Sequence, residues 1–449
     1  MRKGYTRSHA RVAACHQSLS LYGSARSRNS GYLFKPIQTP SVKSGLPQAP
    51  ITPRCCGSAR IRKESCECMP LPRAVPVAPS SGRWTRANGA ITRHQLHLRS
   101  AHEPTADIPL PPVVPVSTGM RQILSEADLR ALAPQERIQL GFPPPPHPDS
   151  PARLLQSWRR AALTPSLTVQ PRLLPRPDIR RVKPEAIEAS GTSVNWSGFV
   201  LPNDLIITGP RRGGVHFDHY DDVRGSWTVP FATGDPNTAT YSSFWVGLDG
   251  WGTTDLVQAG TETDTINTTT GFASITLIST YAWTEFLPPQ QTEIEVAGFV
   301  VNPGDRIFVE VWVTGDGLGP DAAFFLFNES TGISHLSSTP LAGTRLPLKQ
   351  AVWIMERPAV TAQASGIFGK HTYLTYLSNY GSAFLSDAFA GRSDISGAAG
   401  IVSYLDSRTL DLSMKDKAGT TTLSTATALD SSNMRFDWKA FGDNVIPFP

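Results

Sequence analysis

The C-terminal part of this 449-residue chain predicts an all-β domain, an antiparallel two-sheet β-sandwich. Three observations lead there. From about residue 190 apolar runs of strand length recur; Gly, Pro, Asn and Asp separate them; and no helical period of ten or more residues interrupts the series. The domain expected from this texture covers residues 190–449.

Taken in order, residues 1–118 are rich in Arg, Ser, Pro and Ala without a sustained period, the composition of a largely disordered basic region. The opening MRKGYTRSHARVAACHQSLS has the basic start of a secretory signal but not the ~7–15 apolar residues that should follow it. It reads as a basic targeting tail, or as sequence upstream of a start at Met120. All five cysteines (Cys15, Cys55, Cys56, Cys66 and Cys68) lie in this region. Neither Cys pair has histidines at metal-binding spacing.

Residues 119–189 read as a basic, propeptide-like segment. Ser125 can cap a helix over SEADLRALA, with Glu126 and Asp128 in the first turn, where the helix dipole favours them. A second, basic stretch, SPARLLQSWRRAAL, places Leu154, Leu155, Trp158 and Ala162 near helical spacing. PPPPHP between the two is an extended spacer. The segment is either a linker or a basic cover for the domain that follows.

Within the domain, RIFVEVWV (306–313) alternates, with Ile307, Val309 and Val311 on one face and Phe308, Glu310 and Trp312 on the other. VNWSGFV, RGSWTV, SSFWVGL, ASITLIS, TEIEVAGF, AAFFLF, QAVWIME, TLDLSMKD and MRFDWKAF are further strand candidates. NPGD (302–305), TGDG (314–317) and DKAG (416–419) mark turns between them.

Charge divides the chain near residue 185. Residues 1–185 hold 28 of the 42 basic and 10 of the 37 acidic residues, a net +18, against −13 for the remainder. The acidic domain argues against nucleic acid as a partner. No run approaches the ~18–20 apolar residues of a membrane helix. Without cysteine the domain has neither disulfides nor a Cys–His site.

No G-x-S-x-G, H-E-x-x-H, P-loop or EF-hand pattern occurs, and the paired Asp-Thr/Ser-Gly of an aspartic peptidase is absent. HFDHYDD (216–222) gathers two His and three Asp, which reads more easily as a polar loop than as a metal site. One carboxylate sits in the apolar strand QAVWIMERP. There Glu356 shares a face with Val352 and Ile354, while Trp353, Met355 and Arg357 point the other way. Such a carboxylate is either structurally paired or tuned for proton transfer.

Five ordered segments resemble the eqolisins, the glutamic peptidases: NWSGFV (195–200), GSWTVP (225–230), SSFWVGLDGWGTTDLVQAGTE (242–262), YAWTEFLP (281–288) and WIMERP (353–358). The tail YLSNYGSAFLSDA with LDLSMKDKAGTTTLSTATAL is similar to the family's closing strands. The likeness spans about 190–440. It implies a concanavalin-like sandwich around a substrate groove, and a catalytic dyad of Gln258 and Glu356. Trp245 and Asp249 match groove-lining positions, as do Trp283 and Glu285. The lack of disulfide cysteines resembles bacterial relatives, and the loop at 202–223 is longer than the family pattern.

The implied protein is an acid-acting, extracellular, monomeric endopeptidase on polypeptide substrates, with no metal or other cofactor. In the implied chemistry an ionised Glu356 takes a proton from the attacking water and later passes it to the leaving nitrogen. The Gln258 amide stabilises the oxyanion, and no covalent intermediate forms. A glutamate of ordinary pKa, ~4.3, stays usable in mildly acid medium. The rival reading is a carbohydrate-binding, lectin-like sandwich with Trp245, Trp251 and Trp283 as stacking platforms, or a glycosidase pairing Glu356 with Glu285 or Asp249. Charge complementarity further predicts that 119–189 covers the groove near neutral pH and is shed before about residue 190 in acid.

Overall fold

A computed structural model of the chain describes residues 116–443, apart from 181–185, 189–190, 204, 208–214, 237, 271–272, 289, 291, 315–320, 342–343, 364–369, 394, 396–400 and 404–408. The tail expected over 1–118 and its cysteines, like the turn at 314–317, lie almost entirely outside the described residues.

The N-terminal segment forms α1 (Glu126–Ala131), α2 (Pro134–Gln139) and α3 (Ala152–Leu163). Ser125 caps α1 as its sequence predicts. Its Oγ accepts from the Asp128 N–H at 3.1 Å, and the Asp128 carboxylate accepts in return from the Ser125 N–H at 3.2 Å. On α3, Leu154, Leu155, Trp158 and Ala162 are all buried. The segment then extends through the short strands β1 (Leu167–Thr168), β2 (Arg172–Pro175) and β3 (Ile179–Arg180).

The body follows as β4 (Trp196–Pro202), β5 (Asp222–Thr228), β6 (Ala239–Asp249), β7 (Leu256–Thr270), β8 (Ala273–Leu287), β9 (Ile294–Ala297) and β10 (Arg306–Val313). It continues with β11 (Asp321–Asn328), β12 (Ile333–Pro340), β13 (Gln350–Glu356), β14 (Ala359–Gln363), β15 (Ser382–Gly391), β16 (Leu410–Lys415), β17 (Thr422–Asp430) and β18 (Asn433–Trp438). Each strand predicted from its apolar run is present.

These strands form two antiparallel sheets. Sheet I runs β12-β11-β10-β5-β15-β18-β17-β16. Sheet II runs β9-β8-β7-β6-β13-β4-β16, so β16 is common to both. The inner faces share one core: Ile307, Val309, Phe324 and Leu326 from sheet I meet Val246, Val257, Trp353 and Met355 from sheet II. This is the expected two-sheet sandwich. The long loop at 202–223 carries a small hairpin in which Leu205–Ile207 pairs with Val215–Phe217.

The alternation predicted for β10 is observed. Ile307, Val309 and Val311 enter the inter-sheet core, and Phe308 and Trp312 point out. That outward face is not open to water, because Ile138 of α2 and Ala161 of α3 pack on it. Among the described residues no helix is long and apolar enough to cross a membrane.

Candidate active site

The face of sheet II turned away from the core carries the chemistry. Period-2 alternation sends Trp353 and Met355 of β13 inward and puts Val352, Ile354 and Glu356 on this face. Trp196, Trp245, Leu256, Tyr281 and Trp283 join them there. Glu356 is fully buried. Its Oε2 accepts from Trp245 Nε1 at 2.9 Å, and its Oε1 lies 3.4 Å from Asn195 Nδ2. The Trp196 ring stands edge-on to Trp245, with centroids 4.9 Å apart. Arg357, the sequence neighbour of Glu356, bonds to the Val194, Thr375 and Asp443 carbonyls and to the Asp443 carboxylate.

Gln258 of β7 is also fully buried and lies two strands from β13. On the intervening β6 its partner is Gly247, while Glu356 lies opposite Ser243. A Cβ at Gly247 would come 3.0 Å from the Gln258 Cβ and 2.9 Å from the Val257 carbonyl, so only glycine leaves the Gln258 stem undisturbed. Gln258 Nε2 donates to Glu285 Oε2 at 2.7 Å, across the β7–β8 pairing. Gln258 Oε1 makes no hydrogen bond among the described residues. Glu285 therefore fixes which end of the amide is the donor.

Trp245, Trp283, Glu285, Gln258 and Glu356 thus lie on one sheet face, and Asp249 stands at its end, opposite Leu256. Asp249 ends β6 at φ +70°, and its carboxylate accepts the Leu348 and Lys349 N–H groups at 2.7 and 2.6 Å. Burial pushes its carboxyl up to about 6, against the opposing pull of those backbone donors. It locks the turn into β13. Trp245 and Trp283 are completely buried, an unsuitable state for open stacking platforms. In the 216–222 run, Asp222 pairs with Arg224 and Asp218 with His219.

Two contributors escaped the sequence reading. Asn195, which opens the NWSGFV motif, reaches Glu356. Ser243 accepts from Trp283 Nε1 at 3.1 Å. Their signal is purely positional: each sits in a motif with a candidate site residue.

What covers this face is the chain itself. β2 adds to the edge strand β9, and β3 pairs with β14, which continues directly from β13. The strap 172–180 therefore runs from the edge strand β9 to β14, just beyond the end of β13. Ile179 enters the cluster of Trp196, Trp245, Trp283 and Ile354. Arg176 lies 3.3 Å from Glu295, 3.5 Å from Asp178 and 3.7 Å from Asp264, with its guanidinium 4.6 Å from the Tyr281 ring centre. Burial works against its charge, but the negative groups around it win and raise its pKa above the ordinary arginine value. An open cavity of about 690 Å³ lies elsewhere, between the proline spacer and the strands of Arg224 and Trp312.

The model of the peptidase A4 family matches residues 195–438. No curated protein matches the chain. Among solved structures, scytalido-glutamic peptidase with a peptide-based transition state analog is 18% identical, with a TM-score of 0.39 over 55% of this chain and 98% of that one. SCP-B, described as a member of the eqolisin family, in complex with the tripeptide Ala-Ile-His, is 16% identical, with a TM-score of 0.37 over 55% and 98%. Aspergilloglutamic peptidase from Aspergillus niger is 19% identical, with a TM-score of 0.34 over 44% and 99%.

Proposed function

The chain belongs to the peptidase A4 family of glutamic peptidases and is a peptide-bond hydrolase, and on that premise we propose that Glu356 and Gln258 are its catalytic dyad in an acid-acting, extracellular, monomeric endopeptidase. The observation that carries the reading is a carboxylate and an amide, both fully buried, on one face of one sheet among three tryptophans. The indole N–H of Trp245 is donor only, so Glu356 Oε2 accepts from it and the carboxyl group is held in place. Water bound beside it loses a proton to Glu356 while its oxygen attacks the scissile carbonyl. One N–H of Gln258 is held by Glu285, and the other remains to meet the oxyanion, a contribution of about 2.7–4 kcal/mol. Proton return from Glu356 to the leaving nitrogen completes hydrolysis. Trp245, Trp283 and Glu285 line the groove; Asp249 supports its rim.

The strap makes the full chain latent in this reading. Substrate needs the face that Ile179 and its neighbours fill, and Arg176 holds the strap in an acidic setting formed by Asp264, Glu293, Glu295 and Asp178. Acid that protonates these carboxyls removes the charge that Arg176 answers, and the Pro- and Arg-rich strap becomes open to cleavage. The decisive measurement incubates acid-treated protein with a denatured substrate across pH 2–7 and maps the cut peptides. Cleavage in acid that is absent in Glu356→Gln supports the dyad. Equal cleavage by that variant overturns it. A synthetic 170–189 peptide should inhibit the activated enzyme at pH 6, and less so at pH 3 or in high salt; no inhibition at pH 6 removes the latency reading.

A further inference from the structure

We propose that residues 119–169 are a permanent third layer of the working enzyme, so that activation cuts the strap and leaves a two-chain enzyme rather than the β domain alone. The cut rests on the peptidase reading above; the permanence of the layer rests on packing alone. It also divides the N-terminal segment, which the sequence had treated as one removable cover.

The argument begins with β11. All eight of its residues, DAAFFLFN, are buried. Ala322, Phe324 and Leu326 enter the inter-sheet core, while Ala323, Phe325 and Phe327 point out of the sandwich. A strand that is apolar on both faces needs cover on both. With Phe308 and Trp312 of β10 and Leu336 of β12, the outward residues form a largely apolar face around the buried Glu310–Arg224 pair, closed by Ile138 and Ala161 of the helices. Each aromatic side chain buries about 150–250 Å². Stripping the helices would thus open a patch at or beyond the ~300–600 Å² that a monomer's surface usually shows.

The layer also has the marks of a folded unit. Leu129, Phe142, Trp158 and Ala162 form its own small core. The Arg121 guanidinium, 4.8 Å from the Phe142 ring centre, donates to the Ala161 and Thr164 carbonyls at 2.7 and 3.0 Å. Its seam with the body is specific. β1 pairs in parallel with β12, and the Ser166 and Thr168 hydroxyls both meet Ser334 Oγ, at 3.1 and 3.2 Å. Asp387, buried at φ +58°, binds Arg153 and Arg160 of α3, each at 3.0 Å. Losing the layer would leave that carboxylate two cations short.

The test installs recognition sequences for a site-specific protease at 170–171 and at 181–185 in the full chain, so that the strap is excised and the cuts do not depend on the chain's own activity. After cutting, gel filtration and intact-mass analysis at pH 4 and pH 7 should show the fragment holding 119–169 co-eluting one-to-one with the body, separating only in denaturant. A body that elutes alone, monomeric and active on a denatured protein substrate, overturns the proposal. Arg153→Ala with Arg160→Ala is expected to keep the fold and to speed release of the cut layer several-fold; release no faster than in the parent assigns the seam to other contacts and overturns the role given to Asp387. If co-elution holds and no hydrolysis appears, the layer stands and the peptidase reading fails. Hydrolysis without co-elution gives the reverse.

Discussion

One N-terminal segment covers two faces of the same body, and the two covers differ in kind. On sheet I the helical layer meets Phe308, Phe325, Phe327 and Leu336, an apolar surface whose one buried carboxylate among these strands' outward residues, Glu310, is paired with Arg224 at 3.1 Å. On sheet II the strap meets a face where tryptophans alternate with Gln258, Glu285 and Glu356. Burying apolar carbon stabilises without further condition. Burying carboxylates and amides costs free energy unless each finds a partner, and Gln258 Oε1 has none among the described residues. The first face suits a cover that never leaves. The second suits one that gives way to substrate.

The comparison is broken or sharpened most strongly at the dyad. Glu356→Gln is nearly isosteric and removes the base, so hydrolysis should fall ~10²–10⁴-fold or further with an unchanged melting curve. Gln258→Ala should cost ~10²–10³ in kcat, and Gln258→Glu should also fail, because it sets another negative charge beside Glu285 where an oxyanion must form. Near-normal turnover in folded Glu356→Gln ends the assignment.

Next come the two covers. Ile179→Ser removes the strap's apolar anchor, worth about 1.5–3 kcal/mol, so activity of the uncut chain at pH 6 should rise ~10- to 100-fold. Phe325→Ala under the helical layer should instead lower unfolding stability by about 3–5 kcal/mol and leave latency in place. Identical phenotypes for the two variants would erase the distinction between the faces.

Acid offers a smaller test with opposite signs. Asp249 has a folded pKa of about 6 because of burial, above its unfolded value of ~3.9. The native state therefore holds more protons than the unfolded chain between those values, and stability falls as pH rises through that window. The change is about 2–3 kcal/mol between pH 4 and pH 7, and Asp249→Asn should flatten it. In α1 the sign reverses. Hydrogen bonds from Arg159 and Arg130 lower the pKa of Glu126, so its contribution is present at neutral pH and lost as pH falls through the carboxylate range. Hydrogen exchange at pH 7 and pH 4 should show the body tightening while α1 loosens; parallel changes in both would refute the sign assignment.

Much of this was legible in the chain. The placement of Glu356 with Val352 and Ile354, away from Arg357, follows from period-2 alternation, and the faces of β10 follow from the same rule. Ser125 announces its cap because capping is decided within four residues. The partners of Asp249 were not legible: its carboxylate, at a left-handed residue on the strand end, accepts the Leu348 and Lys349 N–H groups, a hundred residues away.

By itself, then, the sequence determined what neighbouring residues decide: strands, caps, the division of charge, and which side chains share a face. The partnership of Gln258 with Glu285, the reach of Asn195 to Glu356, the arrival of Ile179 among Trp196, Trp245 and Trp283 and the docking of the helices on Phe325 were settled only by the tertiary structure. Those contacts join residues up to about 190 positions apart. Which distant strands pair, and which cover settles on which face, depends on loop closure and on packing summed over the whole sandwich. No local periodicity carries that information.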